Sequence, residues 1–499
     1  MSLVLDDVLV SSNPATGAEV GRIKITPAGR VAELVARARA AQQDWGQRPW
    51  KQRRGLLARW WQILGRDVGD WTELIRDEIG KPGVEALAGD VVPTLDALRW
   101  TIKHGERTLR DVRVGAEWQR WLLMPGARLR WCPVGVVGMI GTWNYPLFLN
   151  APPIAQALAA GNAVVWKPSE LAVRSGQKIQ QSLEEAGVPA GLVTAVLGGS
   201  EVGQALVESD LDKGFFTGGI ENGRRVIVGL GARGIPAVAE LSGFDAAIIL
   251  PDAPVQSTVR ALTWAAYVGC GQTCVAVKRV YVIGDARPWA EEFSARARAL
   301  EVGDPARPAT DIGPMITASA RERFDRQIKD AIRAGARVLA GATSLSGPGW
   351  FYAPTVLQAE TAEAEGALAG AFGPVVLIRG VADVDAAVAA TNSSNFALGA
   401  SVWTRNSSAA RHLASRLQAG MVSINDAVTP TAHAGAPFGG CKASGFGRTH
   451  GALGLREFSQ PQVLFQRRPG GFRPQLFPYG RSSTVERFLA VYRRVFHRR

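Results

Sequence analysis

Two stretches decide the fold: VGVVGMIGTWNYP at residues 134–146 and AVVWKPSE at residues 163–170. Each is a short, uncharged apolar run that ends in polar residues, as a strand buried on both faces does when it emerges at the edge of a parallel sheet. The whole span from Trp131 to Trp166 carries no charge over 36 residues. It also contains Gly135, Gly138, Gly141 and Gly161 with Pro133, Pro146, Pro152 and Pro153, which would break a membrane-spanning helix repeatedly. The span therefore reads as buried strand, loop and helix. Working outward, Val193–Leu197, Gly214–Thr217 and Ala237–Leu241 read as further strands. Ser175–Ala186, Glu201–Glu208 and Asn222–Leu230 read as helices between them. Such β-α alternation predicts a mostly parallel sheet with helices on both faces.

A second alternating series follows, with strands at Ala246–Leu250, Arg279–Ile283, Val375–Arg379, Ser401–Thr404 and Met421–Asn425. Its helices are predicted at Val255–Val268, Trp289–Leu300 and Ala320–Ala334. Upstream, Val31–Trp45 and Arg53–Ile79 have the spacing of amphipathic helices, with Leu56, Leu57, Trp60, Trp61, Ile63 and Leu64 toward a core. Arg113–Arg130 reads as a hairpin turning at Met124-Pro125-Gly126-Ala127, which cannot be stable by itself and so must lie either on its own domain or on a second subunit.

At 499 residues the chain needs more than one core, and 46% hydrophobic with 20% charged residues excludes a disordered protein. Four cysteines are too few for a disulfide framework and point to a reducing, cytoplasmic setting. Met1–Val10 lacks the basic residues of a secretory signal. The net charge of +13 does not indicate nucleic-acid binding. Residues Arg467–Arg499 hold nine arginines against the single acid Glu486, and so +8 of that charge.

Gly229-Leu230-Gly231-Ala232-Arg233-Gly234 has dinucleotide-fingerprint spacing but lies after a helix and before a strand, the reverse of what phosphate binding requires. Its glycines read as a helix terminus. Gly271-Gln272-Thr273-Cys274 is the sharper signal: a cysteine in a glycine-adjacent loop, open to a substrate. Three strand ends accompany it. Thr142-Trp143-Asn144-Tyr145-Pro146 offers a side-chain amide to an oxyanion. Lys167-Pro168-Ser169-Glu170 offers an amine and a carboxylate to ribose hydroxyls. Glu240-Leu241-Ser242-Gly243 offers a general base. The five histidines show no pairing with cysteine at metal-ligand spacing, so no metal is expected.

With these patterns the chain resembles the NAD(P)-dependent aldehyde dehydrogenase superfamily from about Asn13 to Phe465. Further matches are Gly80-Lys81-Pro82, Phe216-Thr217-Gly218, Asp311-Ile312-Gly313-Pro314, Phe372-Gly373-Pro374, Pro437-Phe438-Gly439-Gly440 and Ser444-Gly445-Phe446-Gly447-Arg448. The resemblance implies an α/β fold of two doubly wound parallel-sheet domains, a Rossmann-like cofactor domain and a catalytic domain, plus a small β oligomerisation hairpin. The expected division is residues 1–112 and 132–239 for NAD(P), 240–454 for catalysis, 113–131 and 455–466 for bridging strands, and 467–499 as a basic tail. It also implies oxidation of an aldehyde, hydrophobic aliphatic or aromatic, to the acid in a homodimer or homotetramer. Cys274 is the implied nucleophile, Asn144 the oxyanion donor and Glu240 the water-activating base. Implied cofactor contacts are Thr142, Trp143, Lys167, Ser169, Glu170, Gly218, Gly219, Leu241 and Phe372. NAD is favoured because Glu170 repels a 2′-phosphate, with NADP the alternative. The other readings are a coenzyme-A-acylating relative and a cofactor-binding scaffold with little turnover.

The chain departs from the family pattern at Gly370, where a ribose-binding glutamate is usual: either another group or water takes its place, or the nicotinamide end is looser and the hydride step slow. Pro153 and Thr449 replace a lysine–glutamate pair proposed for proton relay in some members. In the tail, Ser483 and Glu486 form a capping box before a helix whose Val485, Phe488, Leu489, Tyr492, Val495 and Phe496 share one face among arginines. That helix either docks on protein or lies, through residues 484–499, on an anionic membrane surface at the inner face.

Overall fold

A computed structural model describes residues 3–5, 7–117, 126–467, 469 and 483–496. The chain forms two compact units, Met1–Thr108 with Pro133–Ser459, and Leu109–Cys132 with Gln460–Arg499. The first unit contains two parallel-strand sheets. In one, the spatial order is Gly445–Phe446, Ala237–Leu241, Lys213–Gly218, Val136–Ile140, Ala163–Lys167 and Val193–Ala195. All its strand pairs are parallel except that of Gly445–Phe446 with Ala237–Leu241. The chain thus winds outward from Val136–Ile140 in one direction and returns beside it with Lys213–Gly218 to wind the other way.

The uncharged span is explained by burial from both sides. Val136, Val137 and Ala163–Val165 have no exposed surface, and the helix Ala151–Ala160 between those strands is buried along its whole length. Prolines occupy the first turn of that helix, where a missing N–H costs nothing, and Gly161 ends it at φ +96°.

The second sheet has seven strands in the order Arg337–Ala340, Thr355–Gln358, Val375–Val381, Val277–Ile283, Asp245–Ile249, Gly399–Trp403 and Met421–Ile424. Its outermost strand, Arg337–Ala340, is antiparallel to its neighbour and the remaining pairs are parallel.

The helix expected over Arg53–Ile79 is two helices, Trp50–Arg66 and Val68–Ile79. Asp67 leaves helical geometry at φ −95°, ψ 24°, and Arg66 clamps both Asp67 (2.7 Å) and Glu185 (2.6 Å) across the break. Of the expected core face, Leu56, Leu57, Trp60 and Leu64 are buried, while Trp61 is half-buried with its indole N–H donating to the Leu95 carbonyl. The glycine fingerprint ends the helix Ile220–Gly231 and precedes Ala237–Leu241, as its order in the sequence requires.

In the second unit, Val112–Val114 pairs antiparallel with Ala127–Pro133, with Val114 opposite Ala127, and Ser459–Phe465 forms the far strand of that sheet. The expected turn with Trp118, Trp121, Met124 and Pro125 lies outside the described residues. The tail forms a helix over Ser483–Phe496.

Candidate active site

Connections leave Val136–Ile140 and Lys213–Gly218 toward opposite sides, so a crevice opens beyond the carboxyl ends of these two strands. A cleft of about 1370 Å³ lies there. All twelve residues named from the sequence line it: Cys274, Asn144, Glu240, Thr142, Trp143, Lys167, Ser169, Glu170, Gly218, Gly219, Leu241 and Phe372.

The loop carrying Cys274 is held in an unusual shape. After the helix Val255–Tyr267, Gly269, Cys270 and Gly271 take successive φ values of +63°, +56° and +66°. The left-handed region disfavours Cβ-bearing residues, so Cys270 is strained there. Gly271 is required twice over, because a Cβ on it would stand 2.2 Å from the Gly373 carbonyl oxygen. The buried Lys278 ammonium joins the same two segments, donating to the carbonyls of Gly271 (2.8 Å) and Gly373 (2.6 Å). Burial pushes its pKa down to about 7. Lys278 thus ties the Cys274 loop to the Phe372-Gly373-Pro374 motif, a role the sequence reading missed.

A second tether explains the Gly80-Lys81-Pro82 motif. Lys81 is buried, pairs with Asp90 at 2.7 Å and stands 3.3 Å over the Tyr145 ring. Asp90 also accepts from the backbone N–H groups of Leu147 and Phe148. The Thr273 hydroxyl donates to the Val268 carbonyl, so the Tyr145 hydroxyl donates to Thr273 (2.8 Å). Glu85 accepts from the Gly269 N–H, and burial pushes its carboxyl up to about 7. Lys81, Tyr145 and Glu85 therefore brace the loop from beneath.

Asn144 is buried rather than freely exposed. Its Oδ1 accepts from the Thr142 hydroxyl (3.0 Å) and its Nδ2 donates to the Gln272 carbonyl (3.0 Å), which fixes the amide plane two residues from Cys274. The Gly243 N–H donates to the Cys274 carbonyl, and a Cβ at Gly243 would stand 2.4 Å from that oxygen. Burial pushes the Cys274 thiol up to about 12, with Asp245 and Glu240 adding to the rise, while the N–H groups of Val275 and Cys274 oppose it. Both carboxyl oxygens of Glu240 are buried without a hydrogen-bond partner. Burial raises this carboxyl well above the usual range, against the pull of Arg448.

At the other end, Lys167 pairs with Glu170 at 3.1 Å. Gly219 caps the helix Ile220–Gly231 without a side-chain hydrogen bond, and a Cβ on it would meet nothing within 4 Å. The rings of Trp143 and Phe372 meet edge to face at 5.8 Å. Gly370 also lines the cleft, at φ +73° with a would-be Cβ 3.2 Å from the Phe396 ring. The local turn is built for glycine, so the family's usual glutamate would be strained there.

Beside Cys274 runs an apolar wall. Cys274 packs on the cluster of Val275, Leu398 and Phe438. The Phe438 ring centroid is 5.7 Å from that of His450, and His450 is 5.2 Å from Phe148. Phe148 continues into Ala97, Ala434, Trp100, Tyr145 and Leu149. Pro153 and Thr449 line the same cleft. The place of His450 in this wall was also missed, although it follows directly on the Gly447-Arg448-Thr449 segment.

Among described residues no cluster of three or more potential metal ligands occurs. A family model described as the aldehyde dehydrogenase family matches residues 6–464. A 4,4′-diapolycopene aldehyde oxidase of Methylomonas sp is 33% identical over 485 residues, covering 95% of this chain and 89% of that one. A succinate-semialdehyde dehydrogenase [NADP(+)] of Deinococcus radiodurans is 33% identical over 91% of this chain and 93% of its own length. The fold is similar to an aldehyde dehydrogenase of Mycobacterium tuberculosis complexed with NAD+, with TM-score 0.89 and 30% identity over 94% of this chain and 96% of that one. Fold, cleft and sequence relatives agree: this chain belongs to the aldehyde dehydrogenase family.

Proposed function

We propose that this enzyme oxidises an apolar aliphatic or aromatic aldehyde to its carboxylic acid with NAD or NADP. The observation that carries the substrate class is the wall of Phe438, His450, Phe148 and Leu149 continuous with Cys274. Burial of an alkyl chain or ring there gains about 25 cal/mol per Å² of apolar surface, whereas a carboxylate would lose its hydration against aromatic rings. That favours a substrate closer in polarity to the Methylomonas relative's named aldehyde than to succinate semialdehyde.

The cleft's own residues suit a dinucleotide. The open first turn after Gly219 would receive the pyrophosphate, Lys167 and Glu170 the adenosine ribose, and the Trp143–Phe372 pair the nicotinamide end. When bound, the nicotinamide supplies the acceptor for the substrate's hydride. Cys274 attacks the aldehyde carbon as thiolate. The fixed Asn144 amide and the Cys274 N–H stabilise charge on the resulting oxygen. After oxidation, Glu240 takes a proton from the water that cleaves the thioester. Glu240 in this position argues against release to coenzyme A. A burst of NADH equal to the active sites, absent in Cys274→Ala, is the expected result with hexanal or benzaldehyde. No burst from the wild-type enzyme with either aldehyde would overturn the reading.

The finer expectations on assembly rest on the second unit. Val463, Leu464 and Phe465 expose 51%, 44% and 63% of their surface on the strand Ser459–Phe465, an apolar edge suited to a homodimer or homotetramer. The helix Ser483–Phe496 exposes Leu489 and Val491 and carries Arg487, Arg493 and Arg494, a composition suited to the surface of an anionic leaflet on the cytoplasmic side. No helix among described residues is long and apolar enough to cross a membrane. Flotation with anionic liposomes should require residues beyond Phe465, and equal flotation of chains ending at Phe465 and Arg499 would exclude the tail as an anchor.

A further inference from the structure

Two glycine-rich segments close on Glu240. Gly445–Phe446 pairs antiparallel with the strand Ala237–Leu241, with Gly445 opposite Glu240, and so brings Arg448 to this carboxyl three residues later. Reciprocal backbone hydrogen bonds of 2.8 Å between Phe438 and Thr449 lay Pro437–Gly440 alongside. Where the segments meet stands Gly439, at φ +151°. A Cβ there would lie 2.8 Å from Glu240 Oε1 and 3.0 Å from Arg448 Cδ, closer than a methyl group packs. The missing side chain therefore lets the carboxyl and the arginine stem share one spot. Arg448 is itself anchored, its Nη1 donating to the carbonyls of Gly440 (2.9 Å) and Gly447 (2.6 Å).

Among the described residues, Arg448 is the cation that bears on Glu240. Glu457, from the helix Gly451–Glu457, and the Cys274 thiol also face it, but Glu457 is paired with Lys213 at 2.7 Å. The helix Ile220–Gly231 meets this strand with Ile220, Val226 and Ile227, and the neighbouring strand places Thr217 opposite Glu240. Both Glu240 oxygens lack a hydrogen-bond partner, so charge and shape alone steer the carboxyl. Burial raises its pKa, Arg448 opposes the rise and Glu457 adds to it.

We propose that Arg448 is the positioning residue for Glu240: its positive charge, brought to the carboxyl at Gly439, holds that group against the glycine as an anion able to take the proton of the attacking water. The inference rests on the general-base role proposed above and assigns its control to a residue outside the cleft lining, which acts through Glu240.

The test isolates thioester hydrolysis on the full-length enzyme. Acyl-enzyme made from hexanal or benzaldehyde with NAD is followed to its loss by mass measurement of the quenched chain, from pH 6 to 9. In Arg448→Met and Arg448→Gln the loss should be about tenfold slower at pH 7, the effect of one unit in the pKa of the base, and the gap should narrow as pH rises. Arg448→Lys, which keeps the charge, should restore most of the rate. Only acylated molecules are counted, so incompletely folded protein drops out of the measurement. A loss by the same factor at every pH would make Arg448 a structural brace and overturn the inference. An unchanged profile in the neutral variants, or no recovery in Arg448→Lys, would overturn it too. A wild-type enzyme that forms no acyl-enzyme, or a Glu240→Gln variant that loses it at the wild-type rate, overturns instead the general-base reading beneath.

Discussion

The two ends of the cleft are built from different physics. At the end proposed for the cofactor the charged pair Lys167–Glu170 reaches solvent, with 44% of the Glu170 side chain exposed, and the helix after Gly219 offers only backbone. At the end proposed for the reaction Cys274, Glu240 and Lys278 are desolvated, and burial is the first cause of every shift among them. The contrast teaches where each function can be placed. A cofactor that must bind and leave is met by screened charge and amides that cost little to rehydrate. Bond-making groups sit where an uncompensated charge is expensive and therefore reactive.

The sharpest break of that contrast is Glu240→Gln. It should keep the first-turnover burst and lower steady-state turnover by about 10²–10⁴-fold, the usual range for a general base. Loss of the burst itself would instead assign Glu240 to thiol activation. In the wild type both Cys274 and Glu240 have raised pKa values, so their working, deprotonated forms gain population as pH rises. Activity should therefore climb with pH above neutrality, and a flat profile from pH 6 to 9 would contradict the desolvated site.

Lys278→Met tests the tether of the Cys274 loop. Two buried carbonyls would lose their donor, at about 1–3 kcal/mol each, read as a lower Tm. The pH dependence has a definite sign. With the folded pKa lowered to about 7 from 10.5, the unfolded chain binds more protons between those values. The wild type should gain stability as pH rises through that window, and the variant should lose this slope. The smallest effect is expected at the solvent-reaching end. Glu170→Gln removes a repulsion screened by water and by Lys167, so it should tighten NADP by a few-fold and leave NAD nearly unchanged, measured as Kd by fluorescence titration.

Much of this was readable before any coordinates. The strand Ala237–Leu241 and the decoy glycines 229–234 follow from periodicity and element order, and Cys274, Asn144, Lys167, Glu170 and Glu240 from loop and strand-end patterns, whereas the other seven cleft residues come from the resemblance to the family's motifs. The long-range tethers were not readable. Lys278 meets Gly373 across 95 positions of sequence, and Lys81 reaches the Tyr145 ring from a different layer, so no local pattern announces either contact. His450 escaped because a histidine near a motif has no periodic signature, and its meaning comes from two phenylalanines brought alongside by folding. The break at Asp67 was hidden because both helices continue one apolar stripe.

The three left-handed residues before Cys274 carry a practical consequence for anyone wishing to redirect this enzyme. A segment so contorted, and pinned by the buried side chains of Lys278, Tyr145, Glu85 and Asn144, behaves as a fixed jig that tolerates almost no edits. Mutant libraries aimed at new aldehydes should spare positions 269–273 and draw their diversity from the rings opposite, where shape can change while the sulfur stays put.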